Sequence, residues 1–486
     1  MRRKGQQHDG AIRYAIAPYE LTGVKLERLQ VNKGSLSAIL LRVRQRLAAI
    51  HPDHQRIAQG AAWVSLFVLV GKLAGAAKEM AVAYRYGVSG VVDAYQLAIT
   101  VVTWLPGTLV SVIAIVLIPI LVRLRQRDAA DRALFLEEMQ GTVLVLGGLF
   151  MLASLLLGPL ALAHLAANLP EETRQMAWQL IFGMAPVALL TLMIGVYAAR
   201  LQAQEKQVNT LLESVPAVAI LGLVLLWPLK ADIAPLLWGT LLGYVVQAAW
   251  LAYLARRADG QPIRPRWSWR SPHWREFYQA AGVMTAGNFV MSFITPLDQY
   301  FAAQLGDSAI ATLSYANRVI ALLLGLGSMA VARATLPVFS RIAAAGDWRR
   351  ARGMALKWSR IMFVLGGLTM ALIWLLAPWV IRILFERGAF TVQDTAIVAD
   401  VLRWGLVQMP FYFAGIVLVQ LLASQGRYYT IAIIATTNLG VKLAGNMVLA
   451  SWLGISGIVL ATAIMQAFST VSCWLACGNK TQFKSQ

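Results

Sequence analysis

Long apolar runs are the feature that most constrains the fold of this chain. Segments of about 20 mostly apolar residues recur along its 486 residues, and each is long enough to cross ~30 Å of hydrocarbon. Hydrophobic residues make up 58% of the composition, which agrees with this reading. The sequence therefore predicts an all-α polytopic membrane protein with about twelve spans. Their predicted centres are Leu73, Val110, Leu156, Leu190, Leu223, Val245, Val290, Leu326, Ile373, Tyr412, Thr437 and Ala467.

The net charge of +20 is distributed unevenly between the two sides of the predicted membrane. Of the 43 Lys and Arg residues, about 32 fall on one side, about 5 on the other, and the rest within spans. This bias follows the positive-inside rule and predicts that both termini are cytoplasmic. The basicity is thus a topology signal, so membrane lipids rather than nucleic acid are the expected partners.

An internal repeat organises the predicted spans. Glu79 in span one has a counterpart 219 residues later in Asp298 of span seven. Pro186 in span four corresponds to Pro410 in span ten, with a spacing of 224 residues. Six spans per repeat is an even number, so both halves enter the membrane in the same sense. The repeat predicts two six-helix bundles related by a pseudo-twofold axis along the membrane normal, with a cavity between them.

The same pattern predicts the domain boundaries. A basic arm precedes the spans, and a Trp- and Pro-containing linker joins the two bundles. Within the arm, Ser35 to Ile50 has the spacing of an amphipathic helix on the anionic cytoplasmic leaflet, although a disordered basic arm that only enforces topology is an alternative. The predicted segments are 1–60 for the cytoplasmic arm, 61–256 for the first bundle, 257–276 for the cytoplasmic linker, 277–477 for the second bundle and 478–486 for the cytoplasmic tail.

Six basic residues lie inside the apolar runs. A cation in hydrocarbon costs about 2.5–3.5 kcal/mol on insertion scales, so such residues usually face a partner or a wet cavity. They suggest a route for an anionic substrate. The six are Lys72, Lys78, Arg318, Arg333, Arg403 and Lys442.

Depth separates these cations into groups. Lys72 lies about 16 Å from either end of span one, and Glu79, seven residues further, is on nearly the same helix face. Glu79 is therefore a candidate to neutralise a basic residue when no substrate is bound. Lys78, like Arg85, is close enough to the outer end of its span to extend to the surface instead. Asp298 has the alternative role of pairing with Arg318 to lock two helices together.

Arg333 and Arg403 have a simpler interpretation. Both lie near the ends of their spans, where a basic side chain most often anchors a helix at the membrane surface.

Four prolines within spans, Pro106, Pro186, Pro296 and Pro410, each remove a helix hydrogen bond and allow a bend. Such bends are candidate hinges between the bundles, although fixed kinks are the commoner outcome in membrane helices.

The connecting loops carry little chemistry. They contain no phosphate-binding glycine loop, metal cluster or nucleophile constellation, and Cys473 and Cys477 have no further ligand types nearby. The sequence therefore predicts a transporter without a cofactor rather than an enzyme. A cation-coupled multidrug exporter and a membrane-embedded glycan polymerase or ligase remain the alternatives.

Several stretches of the sequence form recognisable motifs. They are Leu384 to Thr391 followed by Asp394-Thr395, Ser314 to Arg318, Leu336 to Arg341, and more loosely Gly71 to Gly75 with Lys78-Glu79 and Asp93 to Tyr95. Together these motifs resemble one known family, the MurJ/MviN lipid II flippases of the multidrug/oligosaccharidyl-lipid/polysaccharide exporter superfamily. The similarity extends over most of residues 60–477.

The resemblance implies that fold and a lipid-linked sugar as cargo. By position, Arg318 and Asp93 align with functionally important residues of the family, and Lys72 and Lys78 stand where the family has arginines. In span two, Pro106-Gly107 replaces an arginine pair, and Ser111 replaces a nearby glutamate. The implied cargo is therefore lipid II or a related polyprenyl-pyrophosphate-linked unit, such as an exopolysaccharide or O-antigen repeat. Glycan-assembly proteins are further partners that such cargo implies.

Combined with the resemblance, these observations predict a flippase of the bacterial inner membrane that works by alternating access. Basic side chains in a desolvated cavity make charge-assisted hydrogen bonds to pyrophosphate oxygens while the polyprenyl tail stays in lipid. Ile99, the repeat mate of Arg318, is apolar, so the predicted anion site is asymmetric. The predicted substrate-binding residues are Lys72, Lys78, Glu79, Asp93, Asp298, Arg318 and Lys442.

Overall fold

The computed structural model describes residues 52–125, 129–206, 208–228, 232–344 and 348–478. Over these ranges the chain forms sixteen helices. They are α1 (Pro52–Tyr86), α2 (Gly90–Leu124), α3 (Ala129–Leu165), α4 (Glu171–Met184), α5 (Pro186–Ala203), α6 (Val208–Leu212), α7 (Val215–Leu226), α8 (Ala234–Asp259), α9 (His273–Ser292), α10 (Ile294–Gln304), α11 (Ala309–Ala344), α12 (Trp348–Phe385), α13 (Val392–Leu406), α14 (Gln408–Ser424), α15 (Tyr428–Leu453) and α16 (Ile455–Gly478).

These helices account for twelve spans, because four spans are divided into two helices each. The divided spans are α4–α5, α6–α7, α9–α10 and α13–α14. Ten segments of the described chain are long and apolar enough to cross a membrane. The other two spans are α1, which carries Lys72, Lys78 and Glu79, and the divided α9–α10.

Proline explains where the spans divide. Pro186, Pro216, Pro296 and Pro410 each lie in the first turn after a break, where the missing N–H would have no partner in any case. Three of the four proposed hinge prolines therefore follow real breaks. Pro106 differs, because it lies inside the uninterrupted α2.

Packing repeats between the two halves as the internal repeat predicts. In the first bundle, α2 and α3 pack on α5, α5 packs on α8, and α7 packs on α8. In the second bundle, α11 and α12 pack on α14, α14 packs on α16, and α15 packs on α16. The fold is thus two six-span bundles, α1–α8 and α9–α16, related by a pseudo-twofold axis along the membrane normal.

The linker between the bundles is held to the first bundle by buried polar contacts. Gly260 ends α8 with a left-handed φ of 70°. Arg200 donates two hydrogen bonds of 2.8 Å to the Asp259 carboxylate. The Glu138 carboxylate accepts from the Ser268 hydroxyl at 2.5 Å, and it also accepts from two linker amides and an indole N–H. These contacts hold the linker against α3, α5 and α8.

Two predicted segments are not covered by this description. The basic arm before residue 52, with its proposed amphipathic helix, and the tail from residue 479 lie outside the described residues.

Candidate functional site

A cavity of about 640 Å³ lies between the two bundles. Helices α1, α2, α5, α7 and α8 of the first bundle line one side, and α11 and α12 of the second bundle line the other. Lys72, Lys78 and Arg318 supply its positive charges, and Glu79 and Glu213 its negative charges. Most of the remaining wall is apolar, so charged groups in the cavity interact in a setting poorer in water than bulk solvent.

Glu79 is the centre of an ion cluster that crosses the boundary between the bundles. Its Oε1 atom lies 2.6 Å from Lys78 Nζ on the same helix and 2.9 Å from Arg318 Nε on α11. The Glu79 side chain is only 9% exposed, whereas that of Arg318 is 49% exposed. Arg318 therefore keeps donor capacity toward the cavity while Glu79 neutralises part of its charge.

Lys78 belongs to this cluster rather than to the membrane surface. Its side chain is 10% exposed and lines the cavity beside Glu79. The alternative in which Lys78 extends to the surface is wrong, because its ammonium is buried beside the Glu79 carboxylate.

Lys72 also lines the cavity, on the same face of α1 as Glu79. A Cβ atom built on Gly325 of α11 would lie 3.1 Å from Lys72 Nζ. The Lys72 ammonium thus reaches across to the second bundle. Ile99, the repeat mate of Arg318, lines the same cavity, so the two symmetric positions carry an apolar and a cationic side chain.

Asp93 lies at the interface between the bundles but not in the cavity. It is fully buried, and its Oδ1 atom accepts a 2.6 Å hydrogen bond from the backbone N–H of Ala311 in the first turn of α11. A carboxylate at this position satisfies an unpaired helix N–H and interacts favourably with the helix dipole. This contact joins α2 to α11, and a role of Asp93 in binding cargo stays a prediction.

Asp298 and Lys442 form a separate buried cluster inside the second bundle. Lys442 Nζ lies 2.8 Å from Asp298 Oδ1, and it donates to the Ile458 carbonyl at 2.8 Å and the Thr462 hydroxyl at 2.5 Å. Asn446 donates to Asp298 as well, at 2.9 Å. This cluster joins α10, α15 and α16.

Neither member of that cluster lines the cavity, because their polar atoms face each other across three packed helices. The alternative pairing of Asp298 with Arg318 is also wrong, since each has a different partner. Two of the seven predicted binding residues thus join helices of the second bundle, and their contact with cargo stays a prediction.

One end of the cavity is closed by contacts between the bundles. This is the end that the charge bias assigns to the outside, termed the predicted outer end. The Tyr315 hydroxyl donates to the Gly87 carbonyl at 3.0 Å, and Ala389 N–H donates to the Tyr84 carbonyl at 2.8 Å. The turn at Gly388, with φ of 63°, brings these atoms together. The motif from Leu384 to Thr391 thus forms part of this closure.

Replacing Gly388 with alanine is expected to weaken closure of the predicted outer end. A Cβ at Gly388 would overlap the Tyr84 carbonyl oxygen, and the left-handed backbone disfavours any side chain. For the measurement, Cys473 and Cys477 are replaced by alanine, and spin labels are attached at Glu172→Cys and Val392→Cys, exposed sites of the two bundles. Pulsed EPR should then report longer distances between the labels in the Gly388→Ala protein than in the protein that keeps Gly388.

Gly426→Ala is the matched control for this substitution. Its φ of 68° gives the same backbone strain, but a Cβ there meets nothing within 4 Å. Equal distance distributions in the Gly388→Ala and Gly426→Ala proteins would contradict a sealing role for Gly388.

Two further arginines hold helices together. Arg85 donates to the carbonyls of Val224 and Trp227 at 2.6 and 2.8 Å and so satisfies the end of α7 rather than extending to the surface. Arg403 donates to the Trp374 carbonyl of α12 at 3.2 Å. The side chain of Arg333 lies outside the described residues.

Glu213 and Gln247 line the cavity but are not among the predicted binding residues. Both lie in predicted spans, five and six, where the argument applied to embedded cations holds equally for polar and acidic groups. Within the described residues, no group of three or more His, Cys, Asp or Glu side chains forms a metal site.

Comparison with known proteins gives consistent results for fold and family. The family model described as "Lipid II flippase MurJ" matches residues 82–486. A protein from Synechocystis sp. named "Probable lipid II flippase MurJ" is 30% identical over 442 residues, covering 85% of this chain and 80% of that protein.

Two solved structures share the fold. A lipid II flippase MurJ in an inward closed conformation superimposes with a TM-score of 0.75 at 19% identity, covering 86% of this chain and 88% of that chain. An inward-facing multidrug resistance MATE family transporter of the MOP superfamily gives a TM-score of 0.68 at 16% identity, covering 84% and 94% of the two chains.

Proposed function

The chain belongs to the MurJ family of lipid II flippases, and from this membership we propose that it moves a polyprenyl-pyrophosphate-linked glycan, with lipid II as the first candidate, across the bacterial inner membrane. The head group passes through the cavity between the bundles while the polyprenyl tail stays in lipid. A pyrophosphate with attached sugars cannot cross hydrocarbon unaided, because its charge and hydroxyl groups would lose their hydration.

The observation that carries this proposal is the Glu79–Arg318 ion pair. It joins the first bundle to the second at 2.9 Å, while half of the Arg318 side chain faces the cavity. An anionic head group is therefore able to compete with Glu79 for Arg318 without first uncovering a buried cation. Lys72 and Lys78 provide further donors on the α1 side.

Alternating access follows from the position of this pair. When Glu79 holds both Lys78 and Arg318, the two bundles are drawn together near the closed predicted outer end. Pyrophosphate binding supplies a second anion to the same cations, which weakens the attraction between Glu79 and Arg318 and frees the bundles to separate at that end. A ligand shifts such an equilibrium only through its different affinity for the two states.

A second cargo, an exopolysaccharide or O-antigen unit, is favoured by one observation. Span two carries Pro106-Gly107 and Ser111 where the family has an arginine pair and a glutamate. None of these three residues lines the cavity, where the α2 contribution is Tyr95, Ile99 and Val110. Span two therefore adds no charge to the cavity, and the cations available to the head group come from α1 and α11.

The test is translocation by the purified protein in proteoliposomes. Lipid II labelled with NBD on its head group is incorporated into both leaflets, and dithionite added outside quenches the exposed label. We expect nearly complete quenching with the protein and about half in protein-free vesicles, because only a flippase brings the inner-leaflet label outward. A polyprenyl-pyrophosphate-linked O-antigen unit with the same label distinguishes the two cargoes.

Two results would contradict the proposal. Quenching of neither cargo beyond the protein-free level, together with proton-driven efflux of a cationic dye, would favour the multidrug exporter. Lengthening or ligation of the glycan chains by the purified protein would favour the membrane enzyme.

A further inference from the structure

Glu213 differs from the other acidic residue of the cavity because it has no ion-pair partner in the described part of the chain. It is exposed to the cavity at the break between α6 and α7, and no basic nitrogen of the described residues lies within 4 Å of its carboxylate. Glu79, by contrast, contacts two cations. An unpaired carboxylate within a span is costly to maintain, so a functional role with a defined partner is the default interpretation.

Lys72 is the cavity cation at the depth of Glu213, but its ammonium faces the second bundle. Gly71 on α1 packs beside Ser214, since a Cβ on Gly71 would lie 3.7 Å from Ser214 Cβ. Lys72 is thus at the same depth as Glu213, yet its ammonium lies beside Gly325 of the second bundle. No ion pair joins Lys72 to Glu213 within the described residues, so the Glu213 carboxylate is available to a ligand.

Gln247 of α8 lines the same cavity wall as Glu213 and lies at about the same level. The backbone of Gly243 approaches Pro216 so closely that a Cβ at Gly243 would overlap it. Helices α7 and α8 are joined by a short connection and run antiparallel. Moving one turn along α8 from Gly243 to Gln247 therefore matches moving about three residues back along the chain from Pro216 to Glu213. This register places the Gln247 amide, which also lines the cavity, at the level of Glu213.

Donor and acceptor groups are separated along the cavity. Glu213 is level with residue 71 of α1, and Glu79 is eight residues further along that helix, a distance of about 12 Å along its axis. Near Glu79 the wall offers the donors of Lys78 and Arg318, whereas at the level of Glu213 the first bundle offers a carboxylate and an amide oxygen as acceptors. Lys72 is at that level too, with its ammonium against the second bundle.

We propose that Glu213 and Gln247 form a subsite for a primary ammonium group on the head group of the cargo. This inference rests on the proposed function, in which the pyrophosphate of the same cargo contacts the Arg318 region. A carboxylate and a carbonyl oxygen together satisfy two of the three N–H donors of an ammonium group, and the charge pair is strengthened by the apolar wall. The subsite selects cargo whose amine is about 12 Å from its pyrophosphate along the cavity.

The test compares two forms of one cargo. A polyprenyl-pyrophosphate-linked glycopeptide with a free side-chain amine is assayed beside the same molecule after N-acetylation, which removes the charge and keeps the rest. The unsubstituted protein should transport the amine form about ten times faster at limiting concentration, since charge-assisted hydrogen bonds are lost with the acetylated form. In Glu213→Gln protein the ratio should fall to about one, and in Gln247→Met protein to about three.

Glu172→Gln, an exposed substitution on α4 away from the cavity, should leave the ratio at about ten. Equal rates for the two cargoes in the unsubstituted protein would overturn the subsite, as would a Glu213→Gln protein that slows both cargoes equally. If neither cargo is transported, the proposed function fails instead. Equilibrium binding of the two molecules to detergent-purified protein then tests the subsite, because the amine form should bind more tightly than the acetylated form by the same factor.

Discussion

Replacing Arg318 with alanine is expected to slow translocation by between about 10- and 100-fold. Arg318 is half exposed to the cavity and pairs with Glu79 across the boundary between the bundles. Its loss removes a charge-assisted hydrogen bond to the cargo, worth about 1.5–3 kcal/mol, and leaves Glu79 with Lys78 alone. The effect is measured in proteoliposomes at matched protein density, as the initial rate at which inner-leaflet label becomes accessible to dithionite.

Arg318→Lys should keep part of the activity. The lysine retains the positive charge and loses the planar fork that contacts two oxygens at once. Arg349→Ala, at an exposed arginine near the start of α12, removes the same charge from the chain outside the cavity and should transport normally. Normal transport by Arg318→Ala protein would remove this residue from the mechanism.

Replacing Lys442 with methionine is expected to lower the free energy of unfolding by about 3–5 kcal/mol. The change leaves the Asp298 carboxylate buried without its cation, and breaking one side of a buried ion pair typically costs this much. The Ile458 carbonyl and Thr462 hydroxyl lose a donor as well. Reversible unfolding in mixed micelles with increasing SDS gives the difference.

A double substitution separates the ion pair from general packing. Asp298→Asn combined with Lys442→Met removes both charges, and we expect it to recover most of the lost stability. Lys357→Met, on an exposed lysine of α12, is the matched single substitution and should change stability little. A Lys442→Met protein as stable as the unsubstituted one would refute the interpretation of this cluster.

These two residues illustrate how far sequence reasoning reaches. Arg318 and Lys442 are both cations deep in apolar runs, and both were predicted to contact cargo. Arg318 faces the cavity, whereas Lys442 is fully buried among three helices of one bundle. Hydropathy reports the depth of a residue in the membrane, but not the neighbour toward which its helix face is turned.

Asp93 and Glu213 also show that the sequence does not determine which acidic residues line the cavity. Asp93 was singled out through a family resemblance, and the fold uses it to cap α11. Glu213 was overlooked, and the break before Pro216 places it on the cavity wall. In each case the deciding contact involves a helix far away in the sequence.

The prolines show a similar limit within single spans. Pro186, Pro296 and Pro410 follow breaks, but Pro106 lies in a continuous helix. Every proline removes one backbone donor, but whether the helix divides depends on what packs on either side of it.

The sequence by itself determined the membrane class, about twelve spans, the two-bundle repeat and the depth of each charge, because apolar length and helical spacing are properties of one segment at a time. Only the tertiary structure decided that Glu79 joins Lys78 to Arg318 in a cavity while Asp298 and Lys442 are enclosed together. An ion pair requires two atoms within 4 Å, and Glu79 and Arg318 are 239 residues apart in the chain. Their contact exists because packing of the two bundles turns α1 and α11 toward each other.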